Sequence, residues 1–344
     1  MLLILKKLFN QKRIHLLLLV GLLTACTGSP TLEIPATSAL PTILKPTLVE
    51  TLPFETSIPS TAIPAATSAQ VPTETSIPSP TPTPTPLRFA VIGDFGQGEQ
   101  GAAEVAKLVK SWQPELIITT GDNNYPSGAA ETIDQNIGQF YHEFIYPYQG
   151  VYGSGADRLR FFPTLGNHDW DTNRAQAHFD YFELPGNERY YDFVWGPVHF
   201  FALSADSREP DGVSAGSIQA MWLKEALSQS NSPWKIVYMH QPPYSSGPRG
   251  PVTWMRWPFL EWGASLIMAG HDHYYERLNV DGLPVFINGL GGGPIYSFGE
   301  IAEGSQVRFN HDYGAMLVVC DESKMTLQFI TRAGIVVDTF TLEK

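Results

Sequence analysis

Hydrophobic and polar positions divide the chain into three stretches with different rhythms. Residues 16–23 form an apolar run behind Lys6, Lys7, Lys12 and Arg13, and no acid precedes Glu33. From Thr27 to Pro86 no period survives. Those 60 residues hold 13 Pro and 14 Thr, a density that forbids helix and ladder pairing, and Glu-Thr-Ser-Ile-Pro-Ser occurs at 55–60 and again at 74–79. Residues 87–344 then alternate strand-like runs with helical spacing. Strands are predicted at Leu87–Ile92, Leu116–Thr119, Phe161–Leu165, Lys235–Met239 and Ser265–Met268. A helix is predicted over Ala102–Trp112, with Ala106, Leu108, Val109 and Trp112 on one side, and others near 130–146, 174–183, 217–228 and 253–262. From about 278 onward strands dominate, with hairpin signals at Asp281-Gly282 and Ala333-Gly334. The pattern is that of an α/β domain finishing in an all-β stretch.

The first 25 residues read as an export signal, since a basic segment precedes an apolar run too short for a comfortable membrane span. They end in Leu23-Thr24-Ala25-Cys26, which resembles the lipobox of bacterial lipoproteins. That resemblance implies a lipidated Cys26 as the mature N-terminus and a protein tethered to the outer face of the cell membrane. An uncleaved signal anchor is the alternative. Residues 26–86 then read as a spacer, reaching about 190 Å as a polyproline-type rod or about 45 Å as a coil.

Of the 344 residues 43% are hydrophobic and only 16% charged, enough apolar surface to give residues 87–344 one large core. The net charge is −12. Loss of residues 1–25 removes four basic residues and no acid, leaving 18 basic against 34 acidic residues, or −16. That balance argues against nucleic acid or anionic lipid as an electrostatically recruited partner, and no obligate protein partner is evident. Phosphate chemistry would need a local source of positive charge such as metal ions. Two cysteines, Cys26 and Cys320, exclude a disulfide framework, and Cys320 in an apolar run is expected to be a buried free thiol.

The informative residues stand at the tips of the predicted strands. They read Gly93-Asp94, Gly121-Asp122-Asn123-Asn124-Tyr125, Gly166-Asn167-His168-Asp169, Met239-His240 and Gly270-His271-Asp272-His273. A Gly-Asp after a strand is ordinarily a turn, and a lone histidine is ordinarily structural. Five successive tips carrying Asp, Asn or His are another matter, because strand ends are where open α/β sheets place their sites. Oxygen and imidazole donors together suit transition metals, and there are too many for one ion. Two metals sharing a carboxylate fit better, as in two-metal hydrolysis of phosphate esters.

In layout this set resembles the calcineurin-like metallophosphoesterase family, and within it the purple acid phosphatase branch, over about Phe89 to Arg277. The branch marker is Gly121-Asp122-Asn123-Asn124-Tyr125. The resemblance implies a four-layer α/β/β/α sandwich of two mixed sheets and two metal ions. Fe(III) would be held by Asp94, Asp122, Tyr125 and His273, and a divalent Fe, Zn or Mn by Asn167, His240, His271 and the bridging Asp122. It implies an acid phosphatase that hydrolyses phosphomonoesters by attack of a metal-bound hydroxide, with His168 contacting the phosphate or protonating the leaving group. Relatives carry a further histidine in the loop after the ligand histidine. Here the loop from His240 to Pro251 has none, and Arg249 falls nearest that place. Arg249 and Asn124 are expected to bind substrate. The same metals also serve phosphodiesterases and nucleotidases, a non-ligating Tyr125 would leave a colourless di-manganese or di-zinc hydrolase, and a surface binding module with an inactive site is the reading from another class. His142, His178 and His199 are expected to be structural, and the glycine run at 289–293 a close-packed loop beside the metals.

Overall fold

The computed structural model of the protein describes residues 85–344. The export signal over 1–25, the lipidation at Cys26 and all but the last two positions of the spacer lie outside the described residues. The described residues contain thirteen strands in order: β1 (Leu87–Ile92), β2 (Leu116–Thr119), β3 (Phe161–Pro163), β4 (Tyr191–Trp195), β5 (Val198–Ala202), β6 (Trp234–Tyr238), β7 (Leu266–Ala269), β8 (Tyr275–Val280), β9 (Leu283–Asn288), β10 (Ser305–Phe309), β11 (Gly314–Cys320), β12 (Lys324–Thr331) and β13 (Val336–Glu343). They form two mixed sheets, ordered β13-β12-β11-β1-β2-β3 and β10-β8-β9-β7-β6-β5-β4. Within the first, β1, β2 and β3 are parallel; within the second, β5, β6, β7 and β9 are.

The central strands β5, β6 and β7 of the second sheet are largely apolar on both faces, as strands covered on both sides require. Phe200, Ala202, Ile236, Tyr238, Leu266 and Met268 share a core with the first sheet, where Phe89 meets Phe200 edge to face at 5.1 Å. The alternate residues Phe201, Val237, Met239, Ile267 and Ala269 point the other way, onto Ala220, Leu223 and Leu227 of the helix Ile218–Gln229. Ser217 caps that helix, its Oγ accepting from the Ala220 N–H at 3.2 Å. Across the first sheet lies the helix Gln100–Ser111, which buries Ala102, Val105, Ala106 and Val109. The four layers are therefore helix, sheet, sheet, helix.

Three expectations shift. The buried stripe of the first helix is 102–105–106–109, so Leu108 lies beside it and not on it. The expected helix at 253–262 is a single 3₁₀ turn, Thr253–Met255, because Pro258 disfavours helical geometry at Trp257 and cannot donate. Residues 130–144 are helical but broken, with a π-type turn at Asp134–Gly138. There Asn136 reaches out to Asn124 Oδ1 and to the Tyr125 carbonyl, both at 2.8 Å. The turn at Asp281-Gly282 has φ of 52° and 94°, the left-handed pair that a two-residue hairpin demands. Cys320 is buried in β11, where burial and the neighbouring acids push its thiol up to about 12.

His178 is buried against Phe182 and Phe179 with neither ring nitrogen bonded, and burial pushes its pKa down to about 3. The unfolded chain takes up that proton near 6.5, so the unfolded state binds more protons between about 6.5 and 3. Stability from this residue is present above 6.5 and falls as the pH drops, by about 1.4 kcal/mol per unit. Urea midpoints at pH 7 and pH 4.5 should differ less in His178→Leu than in the wild type; an equal difference would exclude His178 as the source.

Candidate metal centre

Five strand tips converge at one end of the two sheets, β1, β2 and β3 from the first and β6 and β7 from the second. Each hands the chain to a glycine or a short apolar residue and then to a polar one. Asp94, Asp122 and His271 sit at φ of 56°, 51° and 69°, a region that side-chain-bearing residues seldom adopt. The turn folds each side chain back over its strand tip. Close approach is as strict: a Cβ on Gly166 would lie 2.1 Å from Asp122 Oδ1, and one on Gly293 would lie 2.8 Å from the His273 ring. The glycine run at 289–293 thus packs beside the cluster, as its spacing between strands led one to expect.

The polar groups fall into two sets that share Asp122. In the first, Tyr125 Oη lies 3.0 Å from Asp122 Oδ2, 3.4 Å from Asp94 Oδ1 and 3.1 Å from His273 Nε2. One donor atom each from Asp94, Asp122 and His273 lies within 4.8 Å of the others. In the second, His240 Nε2 is 3.3 Å from Asp122 Oδ2, 3.2 Å from Asn167 Oδ1 and 3.2 Å from His271 Nδ1.

The outward nitrogens are already spoken for. His240 Nδ1 donates to the Thr120 carbonyl at 2.7 Å and His273 Nδ1 to the Pro294 carbonyl at 2.6 Å, which leaves Nε2 of each ring facing the carboxylates. The backbone N–H of His168 donates to Asp122 Oδ1, and that of His271 to Asp94 Oδ2, both at 2.9 Å. Fixing the far nitrogen of an imidazole in this way is how proteins aim the near one at a metal. Two imidazole nitrogens, an amide oxygen and a carboxylate oxygen converging at about 3 Å form a set that a shared proton or a metal cation can hold together.

The electrostatics point the same way. Burial disfavours a charge on His240, yet the Asp122 and Asp94 carboxylates outweigh it and push the ring up to about 10. Asp122 also works against burial, held well below the usual carboxylate range by His240 and His168. Tyr125 is pushed well above its usual range, by burial first and then by Asp122 and Asp94. A phenolate at this place therefore requires a strongly charged cation. The donor set fits two metal ions, one facing three anionic oxygens and a second facing one carboxylate and neutral donors.

The model of the family described as calcineurin-like phosphoesterase matches residues 87–275. The chain belongs to that family. Purple acid phosphatase 23 of Arabidopsis thaliana is 27% identical over 223 residues, which cover 56% of this chain and 48% of that protein. Tartrate-resistant acid phosphatase type 5 of Homo sapiens is 24% identical over 243 residues, covering 60% and 73%. Among solved structures, purple acid phosphatase PPD1 from yellow lupin seeds has a TM-score of 0.62 at 19% identity, over 76% of this chain and 54% of that one. GAP50 of Plasmodium, described as the anchor in the inner membrane complex, has 0.59 at 18%, over 76% and 89%. This chain thus spans about half the length of the Arabidopsis and lupin proteins. The two mixed sheets are the fold of this phosphoesterase family, whose purple acid phosphatase homologues imply a dinuclear metal centre here.

The remaining candidates of the phosphoesterase are placed as follows. His168 Nδ1 donates to the Pro126 carbonyl at 2.5 Å, so Nε2 faces the cluster, 4.0 Å from Asp122 Oδ2. Arg249 is exposed on the rim, over the ring of Tyr296 at 5.1 Å, and Tyr296 in turn lies flat on His273 with centroids 4.1 Å apart. Asn124 does not meet the expectation of a substrate contact. Its side chain is buried, donating to the Ala129 carbonyl at 2.7 Å and accepting from Thr132 and Asn136 at 2.7 and 2.8 Å, so it is turned into the protein and away from any substrate. It shapes the turn that carries Tyr125. Tyr296 carried no signal in the sequence as part of the site. Asp169 did have one, an acid three residues beyond Gly166 at the start of a short helix, where it accepts from the Gly166 N–H at 2.8 Å.

Asp169 also takes the N–H groups of Asn123 and Asn124, both at 3.1 Å, and the Asn123 amide at 2.9 Å. One carboxylate thus ties the tip of β2 to the tip of β3. Its own pKa is raised to about 7, by burial and then by the charge of Asp122. Asp169→Ala strands several buried donors at about 1–3 kcal/mol each. Urea denaturation should show a loss of about 4 kcal/mol or more, and a loss under 1 kcal/mol would mean that the two turns hold without it.

Proposed function

We propose that this phosphoesterase is an acid phosphatase acting on phosphomonoesters, with Fe(III) held by Asp94, Asp122, Tyr125 and His273 and a divalent Fe, Zn or Mn held by Asp122, Asn167, His240 and His271. The observation that carries the reading is Tyr125. Its hydroxyl lies within 3.4 Å of both Asp94 and Asp122, so a phenolate there completes a set of three anionic oxygens on one side. Such a set matches a trivalent ion, whereas the other side offers a divalent ion one shared carboxylate and neutral donors. The two ions would supply Lewis acidity toward the phosphoryl oxygens and lower the pKa of the attacking water.

The chain's own residues then divide the remaining tasks. His168 presents Nε2 beside the shared carboxylate, where it hydrogen-bonds a phosphoryl oxygen and gives its proton to the departing alkoxide as the ester P–O bond breaks. Arg249 cannot give up a proton at ordinary pH, but its guanidinium can hold an anionic oxygen from the rim. Tyr296 limits where that guanidinium stands. An intact constellation of seven donors supports an enzyme over a binding module. The protein is further proposed to act outside the cell, tethered through Cys26 by the spacer over 26–86. Fatty-acid labelling that is lost in Cys26→Ser would bear this out, and labelling that persists would exclude it.

The visible spectrum and metal content of the purified protein test the centre. A tyrosinate-to-iron(III) band with about two metals per chain is expected, and Tyr125→Phe should abolish the band. A colourless wild type that still holds two ions and cleaves esters removes Tyr125 from the ligand set but leaves the phosphoesterase. No metal after reconstitution would favour the binding module. Arg249→Ala should raise KM for a phosphomonoester about tenfold with little change in kcat; a fall in kcat alone would move Arg249 away from ground-state binding.

A further inference from the structure

Arg208 lies in the loop that follows β5, outside every motif of the site, and is exposed over part of its length. Its guanidinium nevertheless makes four short bonds to three partners. Nε and Nη2 grip Asp206 as a fork at 2.7 and 2.8 Å, Nη1 donates to Asp171 Oδ1 at 2.8 Å, and Nη2 also donates to the backbone carbonyl of Asn167 at 2.8 Å. Each partner leads to a different piece of the second metal set. Asn167 is itself a donor of that set. Asp171 stands 3.8 Å from His168 Nδ1. Asp206 is buried, held below the usual carboxylate range by Arg208 despite burial, and accepts from Gln241 Nε2 at 3.2 Å, the residue after His240.

By contrast, the Asn167 side chain has just one hydrogen-bond partner among the described residues, His240 Nε2, itself a donor of the set. The geometry of its amide toward a cation therefore depends on where the backbone of 167 is held. In the first set Tyr125, Asp94 and His273 are buried, and backbone groups hold Asp94 through the His271 N–H and His273 through the Pro294 carbonyl.

We infer that Arg208 is a positioning residue for the divalent-metal half of the centre, holding Asn167, His168 and the Gln241 turn in register from outside the ligand set. This rests on the two-metal reading above. Arginine suits the place because only a planar fork reaches a carboxylate in two points while serving a second carboxylate and a carbonyl. Outer partners of this kind commonly change metal affinity by about 10–100-fold.

The test compares Arg208→Met with Arg189→Met. Arg189 bonds Glu209 at 3.0 Å and Asp211 at 2.6 Å on the same loop but touches no donor-bearing segment. Two readouts are taken on the full chain. In the metal-free protein, amide exchange over 167–171 should quicken at least tenfold in Arg208→Met and not in Arg189→Met. In protein loaded with iron and titrated with Zn²⁺, the Zn²⁺ Kd should rise about 10–100-fold in Arg208→Met while the tyrosinate band stays. Arg208→Lys should recover the thermal midpoint without recovering the Zn²⁺ affinity. Exchange that does not change, equal losses in both Met variants, or full recovery of affinity by lysine would each overturn the inference. The exchange readout needs no metal, so faster exchange in a protein that binds no ion would uphold the brace and reject the metal reading.

Discussion

Asp122 has to face two groups of donors at once, so its carboxylate must be fixed from several sides. The N–H of His168 holds Oδ1, and Tyr125 and His240 flank Oδ2 at 3.0 and 3.3 Å. No single strand can supply those neighbours. They come from the tips of β2, β3 and β6, which belong to two different sheets. Stacking one sheet on the other brings them together, and the apolar faces of β5, β6 and β7 hold the stack. The core therefore acts on the chemistry through one atom pair, the two oxygens of Asp122.

That requirement explains where the backbone departs from its comfortable conformations. Left-handed geometry at Asp94, Asp122 and His271 costs of order 1–3 kcal/mol each, and it persists because the neighbouring turns leave no alternative. Asp169 is the compensating element. One buried carboxylate satisfies donors from the turns after β2 and β3, and so converts two flexible tips into one rigid floor. The same crowding explains Gly166, where any side chain would enter the space of the shared carboxylate.

Most of this was legible in the sequence because strand ends in α/β sheets are marked locally. A run such as Leu116–Thr119 followed by Gly121-Asp122 announces both the strand and the turn, and five such announcements in order specify a centre. What the sequence could not announce was contact between residues far apart in the chain. Tyr296 lies on His273 only because the glycine run before it packs against Asp94, and Arg208 reaches Asn167 only across the space between two loops. Asn124 was misread for a related reason. It stands inside the marker motif, but the irregular helix at 130–144 supplies Thr132 and Asn136, which turn its amide inward. The helix expected at 253–262 failed on a local rule that was visible, the proline at 258.

The two halves of the centre are held by different means, and that difference follows from their charge. In the first half two buried carboxylates, Asp94 and Asp122, stand beside the Tyr125 hydroxyl, and like charge at low dielectric needs rigid backbone to hold it together. In the second half the donors are neutral apart from the shared carboxylate, so less force opposes their assembly and less fixes it. Asn167 and His271 are also the partly exposed members of the set, on the side open to solvent. With a chain of net charge −12, and with Arg249 and the partly exposed Arg208 as basic residues beside it, the site would owe most of its attraction for an anionic substrate to bound ions.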